Sequence, residues 1–254
     1  MTKQLLIYEK VVPVSQERHL DWHIQGKDYA FSRSVNSVPL MATEFPFAAN
    51  DYTIVFAGNQ ATGEILPAIL LGMGEKNLYL SETGEWKAKY VPAFVRRYPF
   101  VFARHDDGST LTLCIDEEFE GCNQDGLGER LFAADGEQTP YLQEVLKFLQ
   151  EYQAHFQRTL LFCKRLKEFN LLEPMHAVIT LGDDKKLSLD GFMAVNRDKL
   201  KALSGEQLAE LAMIDELELI YLHLHSIRNF SKMGILVSEA ASEFNAEQTP
   251  LPVA

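Results

Sequence analysis

Between residues 139 and 173 the positions Leu142, Val145, Leu149, Tyr152, Phe156, Thr159, Cys163 and Leu166 recur alternately three and four apart, flanked by Leu146, Leu160, Phe162 and Phe169. That spacing predicts one long amphipathic helix. Thr139 is placed to cap it, and Pro140 takes the first helical position, where a missing N–H costs nothing. Lys164, Arg165 and Lys167 suit the negative end of the helix dipole, and Pro174 stops the pattern. At 1.5 Å per residue the helix would be roughly 48 Å long, close to the diameter of a compact chain of this size. A strut buried along one face by the rest of the chain is expected, because the stripe is broad and includes Thr159 and Cys163. The alternative is a coiled-coil seam between two copies, which needs a narrower, strictly apolar face.

Ahead of this segment the pattern is mostly strand-like. Residues 5–14 read as a strand or bent pair interrupted at Pro13, 43–49 as a short helix, and 52–56 as a strand. Residues 65–71 and 77–80 read as a hairpin about Gly72 and Gly74. A helical turn or two is expected between Pro92 and Pro99, with Phe94, Val95 and Tyr98 inward. Strands should follow from Phe100 and at 110–114 about a turn at 105–108, with one more at 130–133. After the long helix, 176–181 and 187–195 read as a hairpin about 182–186. Ser204 with Gln207 and Asp215 with Glu218 form capping boxes for two more helices, the second running from 217 to about Lys232 with Leu217, Ile220, Leu224 and Ile227 as its stripe. The expected fold class is α+β: a mostly antiparallel sheet in the N-terminal half, then the long helix, two further helices and a β-hairpin. A single domain over 1–233 is expected, with a β-rich lobe 1–115, an acidic connection 116–138 and a helical lobe 139–233. Residues 234–254 are small, acidic and proline-containing, and read as a mobile tail.

Composition narrows the function classes. Hydrophobic residues make up 46% and charged residues 24% of the 254, an ordinary globular balance with a large core. The net charge of −12 is concentrated: residues 116–138 hold eight acids against Arg130 alone, and Glu239, Glu243 and Glu247 follow Met233 with no base. What remains is nearly neutral, so no basic face for nucleic acid or anionic lipid is expected. Cys114, Cys122 and Cys163 lack a metal-ligand spacing and read as reduced thiols. Only four consecutive apolar residues precede Glu9, too few for a signal-peptide core, and no run reaches membrane-span length. A cytoplasmic protein without membrane insertion is expected.

Two clusters are the candidate ligand-binding residues. His19, Asp21 and His23 would share one face of a strand, and the two histidines would share one face of a helix, so acid–base or ligand chemistry is available either way. Arg96 and Arg97 could clamp a carboxylate or phosphate bidentately, against the simpler expectation that they pair with the acidic connection. His223 and His225 lie about 200° apart around a helix and cannot face one ion together. The glycines at 72 and 74 lack the helix start a phosphate loop needs, and the carboxylates at 116–125 lack the spacing of a calcium hand. No catalytic set, metal or cofactor is expected.

The stretches PLMATEF, DYTIVF, NLYLSETGEWKAKYVPAFVRRYPFVFA, the Cys-Ile-Asp-Glu-Glu run, TPYLQEVLKFLQEYQ and LELIYLHLHSIRNF together resemble the bacterial SapC family, from about residue 5 to 233. That family is associated by name with paracrystalline surface layers, and its members tend to be encoded near outer-membrane receptors and flavin-dependent halogenase-like proteins. The resemblance supplies no catalytic residue to carry over. It implies a non-enzymatic accessory or assembly protein binding a protein partner linked to the cell envelope, with cell-surface association as its corollary. The alternative is an enzyme or small-ligand-binding protein with an Arg/His/Asp anion pocket. Two copies of the chain, joined by the long helix, would make the homo-oligomeric variant.

Overall fold

Two apolar runs, 53–58 and 65–70, form the centre of the structure because their side chains are buried on both faces of one sheet. The computed structural model describes residues 6–26, 28–58, 63–104, 110–180 and 186–247. Its strands are β1 (Val11–Pro13), β2 (His23–Ile24), β3 (Ser37–Pro39), β4 (Thr53–Gly58), β5 (Ile65–Leu70), β6 (Phe100–Arg104), β7 (Leu111–Asp116), β8 (Cys122–Asn123), β9 (Glu129–Arg130), β10 (Leu172–Thr180) and β11 (Lys186–Val195). Its helices are α1 (Gln16–His19), α2 (Phe45–Ala48), α3 (Ala93–Arg96), α4 (Pro140–Glu168), α5 (Arg197–Lys201), α6 (Gly205–Met213), α7 (Glu216–Ser226) and α8 (Phe230–Glu247). The fold is α+β. A five-stranded antiparallel sheet runs β10-β11-β4-β5-β3, and two three-stranded sheets run β1-β7-β6 and β8-β2-β9.

The large sheet crosses the boundary between the two expected lobes, since β10 and β11 come from the C-terminal half and β4, β5 and β3 from the N-terminal half. Alternation sorts its side chains into two cores. Ile54, Phe56 and Ile69 face Phe162, Cys163 and Leu166 of α4. Val55 and Leu70 face Phe192, Met233 and Val237, so α8 covers the opposite side. The N-terminal half of α4 packs Leu142 and Leu149 into a third cluster with Ile24, Phe100, Ile115 and Leu131. The helix therefore ties the large sheet to both small ones, as a strut would. Inside it Thr159 is a buried polar link: its Oγ1 donates to the His155 carbonyl at 2.7 Å and accepts from the Ala42 N–H at 2.9 Å.

Several elements depart from the sequence reading. The long helix ends at Glu168, making it about 44 Å long. Asn170 takes a left-handed conformation (φ 52°), the Leu171 N–H returns to the Leu166 carbonyl and the Asn170 N–H to Lys167, so a Schellman motif closes the helix before Pro174. Residues 77–80 do not form a hairpin with β5, which is flanked by β4 and β3; Leu80 makes only an isolated bridge to Trp86. The expected strand at 130–133 is β9, and it is over by Arg130. Asp215 does not cap α7 through its side chain; it is itself left-handed (φ 63°). The second capping box is absent for that reason. Residues 234–247, expected as tail, are helical, and Val237 is buried on the sheet. The expected turns at 105–108 and 182–186 lie, wholly or for the most part, outside the described residues, as do residue 5 and the end of the tail beyond 247.

One side chain extends the joint between the two halves of the large sheet beyond its backbone ladder. β11 and β4 pair at Phe192–Ala57 and Met193–Phe56, and the same register would next unite Val195 with Ile54. Instead the His223 ring lies between them, accepting from the Val195 N–H at Nε2 (3.0 Å) and donating from Nδ1 to the Ile54 carbonyl (3.0 Å). Three residues on, Ser226 Oγ accepts from the Ile54 N–H, and Asn229 donates to the Ala49 and Tyr52 carbonyls. All three are fully buried.

Two predictions follow from this packing. Leu149 is 2% exposed, so Leu149→Asp should cost more than about 3 kcal/mol and unfold the chain. Circular dichroism with size-exclusion chromatography tests it; a folded variant eluting at half the wild-type mass would make this face a subunit seam. Burial lowers the His223 pKa to about 4, against the hydrogen bond to Ile54. The folded state thus binds fewer protons than the unfolded one, so this contribution is complete above the unfolded value near 6.5 and is lost as pH falls to about 4, roughly 3 kcal/mol in all. Urea unfolding of the wild type and His223→Gln at pH 7 and 4 should show that much less pH dependence in the variant. Equal slopes would refute the assignment.

Candidate functional site

The acidic connection is ordered from its first residue. Asp116 is fully buried at the end of β7, where Oδ2 accepts from the Glu9 N–H (2.8 Å) and the Tyr98 hydroxyl (3.2 Å), and Oδ1 from the Lys10 N–H (2.9 Å) and the Glu118 N–H (3.2 Å). Beside it, Glu117 is gripped by Arg18, with Nη2 at 2.6 Å from Oε2, and by Lys10 at 3.1 Å. Burial acts to raise its pKa, but the two cations outweigh that and hold it below the usual carboxylate range. Downstream, β8 and β9 pair with the two sides of β2. Gly128 (φ +87°) makes the return possible, because a Cβ there would sit 2.3 Å from the Ile24 carbonyl oxygen. Leu131 and Phe132 then enter the core. The carboxylates of Glu118, Glu120, Asp125, Glu129, Asp135 and Glu137 remain exposed on this pinned frame.

His19, Asp21 and His23 do not share a face, because α1 ends at His19, a turn follows, and β2 begins at His23. His19 is buried, its Nδ1 lies 3.1 Å from both the N–H and the carbonyl of Ser15, and its Nε2 is 3.4 Å from Glu117 Oε1. Burial lowers its pKa despite the neighbouring Glu117 carboxylate. Asp21 pairs with Arg130 at 2.9 Å, and His23 Nδ1 is 3.2 Å from the Asp21 carbonyl. Among the described residues no grouping of three or more His, Cys, Asp or Glu side chains fits a metal ion.

Arg96 and Arg97 point to different places. Arg97 is buried, its guanidinium 4.4 Å from the Phe94 ring centre and 4.8 Å from that of Tyr152. Arg96 is exposed and lies across Tyr90 and Phe148. Neither forms an ion pair with the described part of the acidic connection; Lys10, Arg18 and Arg130 are the cations there. The expected pairing of the two arginines with 116–138 is thus corrected: strand order, which brings residues 10–24 against 116–130, decides the partners. Among the described residues no hydrogen bond, ion pair or ring contact joins either arginine to His19, Asp21 or His23.

A second cluster escaped the sequence reading. In β11 an extra residue opposite His176 makes a bulge with Gly191 at φ +86°, and the bulge sets Asp190 against His176 Nδ1. The pair lines an open cavity of about 440 Å³ with Glu64, Met175 and Met193. Both side chains of the pair are more than half exposed, so water competes for the charges there. Asp190 alone could not have been chosen from sequence, because a bulge leaves no periodic signature beyond one glycine.

Asp116 carries the frame of the acidic connection. Asp116→Asn would put an N–H₂ group against backbone N–H donors and should lower the unfolding free energy by about 3 kcal/mol while speeding proteolysis within 117–138. Urea denaturation and limited proteolysis check this. A loss below about 1 kcal/mol with an unchanged cleavage pattern would contradict it.

No curated protein and no solved structure matches the chain. A family model described as SapC matches residues 14–233, and that span takes in β2, the acidic connection, α4, the β10–β11 hairpin and the buried polar side chains of α7. With that much of its length matched, the chain belongs to the SapC family.

Proposed function

We propose that the protein is a non-enzymatic accessory or assembly protein that binds a protein partner linked to the bacterial cell envelope or surface layer. The observation that carries this reading is the acidic connection: a segment pinned at Asp116, braced through Glu117 and paired to β2, with six carboxylates turned to solvent. A frame that is already ordered loses little entropy on binding, and complementary charge raises the rate and selectivity of encounter. The partner's contact surface is accordingly basic. The family name supplies the link to the envelope.

Affinity capture from native bacterial lysate tests the proposal. The wild type is compared with a variant carrying Glu118→Gln, Glu120→Gln, Asp125→Asn, Glu129→Gln, Asp135→Asn and Glu137→Gln. Loss of one defined envelope-linked partner from the variant is expected. Retention of every partner would overturn the reading, and cell fractionation in the same strain reports whether the protein, expected in the cytoplasm, is recovered with the envelope.

A further inference from the structure

Against Phe148 of α4, an arginine is held in place without a carboxylate among the described residues. Arg96 donates from Nε to the Val91 carbonyl at 3.0 Å and reaches the Tyr90 hydroxyl from Nη2 at 3.5 Å. Its guanidinium carbon lies 5.8 Å from the Tyr90 ring centre and 5.3 Å from that of Phe148. The Tyr90 hydroxyl is anchored in turn, donating at 2.7 Å to Glu44, a buried carboxylate that also accepts the Ala93 and Met41 N–H groups. On the same tyrosine Phe47 is stacked at 5.5 Å and 21°, and Phe47 is 61% exposed. A large apolar ring and an oriented guanidinium thus share one platform, and both face water.

The chemistry of the occupant follows from what is left over. With Nε and one side of Nη2 engaged, the remaining N–H groups are on Nη1 and the outer side of Nη2, the end-on pair that grips a carboxylate bidentately. Glu44, the carboxylate joined to Arg96 through Tyr90, is engaged by three donors of its own. The exposed charges nearest in sequence are of both signs: Lys89 and Lys147 precede Tyr90 and Phe148, and Glu144 and Glu151 lie about one turn either side of Phe148 on α4. Those charges cancel, so the surface lacks the broad positive field that would collect a polyanion. It suits one carboxylate placed beside one apolar group.

We propose that Arg96 and Phe47 form a docking site for a segment of a partner protein in which an aspartate or glutamate lies next to an apolar side chain. The proposal rests on the protein-binding reading only in taking a polypeptide as the occupant; the surface is distinct from the acidic connection and of opposite character. Arginine on an aromatic platform is the composition of an interface hot spot, and its immobilisation removes part of the entropy cost of binding. The carboxylate replaces water at Arg96, and the apolar group covers the outer face of Phe47.

The test pans a displayed library of random peptides on the full chain and measures the selected peptides by fluorescence anisotropy. Enriched sequences should place Asp or Glu beside an apolar residue, and their affinity should fall about tenfold or more in Arg96→Ala and in Phe47→Ser, less in Arg96→Lys. Both positions are exposed, and unchanged thermal melting shows that each variant is folded. An empty selection, enriched peptides without acids, or equal affinity for the variants would overturn the proposal. So would Arg96-dependent binding of phosphatidylglycerol-containing vesicles or of an oligonucleotide, which would give this face to a lipid or a nucleic acid. Because the purified chain and defined ligands are used and no lysate, a negative result leaves partner capture through the acidic connection intact, and a failed capture leaves this site intact.

Discussion

The two halves of the chain that build the large sheet meet beside one imidazole. Where β4 and β11 part, the His223 ring substitutes for the direct ladder bond, taking the Val195 N–H and serving the Ile54 carbonyl. An empty gap of that kind inside the core would leave a donor and an acceptor unsatisfied, each costing about 1–3 kcal/mol. The neutral ring, with one nitrogen donating and the other accepting, satisfies both. Ser226 extends the same service at Ile54 of β4 and Asn229 at the Ala49 and Tyr52 carbonyls just before it, so three polar side chains at successive spacings of three form a buried seam. Once that seam is set, the chain enters α8 beside the sheet, and Met233 and Val237 close its second face.

The same economy governs the acids. Asp116 and Glu44 are each surrounded by backbone N–H groups and one tyrosine hydroxyl, and each fixes a loop that would otherwise have no regular hydrogen bonding. Asp116 braces the connection that displays the exposed carboxylates; Glu44 braces the platform that displays Arg96 and Phe47. Buried charges therefore organise the surface from beneath, and the two surfaces they organise differ in sign and in apolar content. Such bracing matters to any contact surface, because a disordered one would lose affinity to its own ordering.

How much of this was legible beforehand depends on the range of the forces involved. The long helix, its Thr139 cap, the capping box at Ser204 and Gln207, the β10–β11 hairpin and the strands on either side of 105–108 are set by neighbours within a few residues, and residue spacing alone determined them. So did family membership, since the motifs are runs of sequence. The early end of α4 had a local sign too, in Asn170, but the stronger-looking stop at Pro174 masked it. Tertiary structure decided the rest. His223, Ser226 and Asn229 look like polar positions on a surface helix until β4, β11 and the turn before β4 supply the backbone groups they serve. Arg97 looks like the twin of Arg96 until Phe94 and Tyr152 enclose it. Asp116 is one acid among eight until β1 brings the Glu9 and Lys10 N–H groups to it. Sequence by itself determined the elements and the family, because periodicity and capping are local; only the fold decided which polar side chains were buried and which were displayed, because burial depends on partners far along the chain, 28 residues away for His223 and Val195, 107 for Asp116 and Glu9 and 169 for His223 and Ile54.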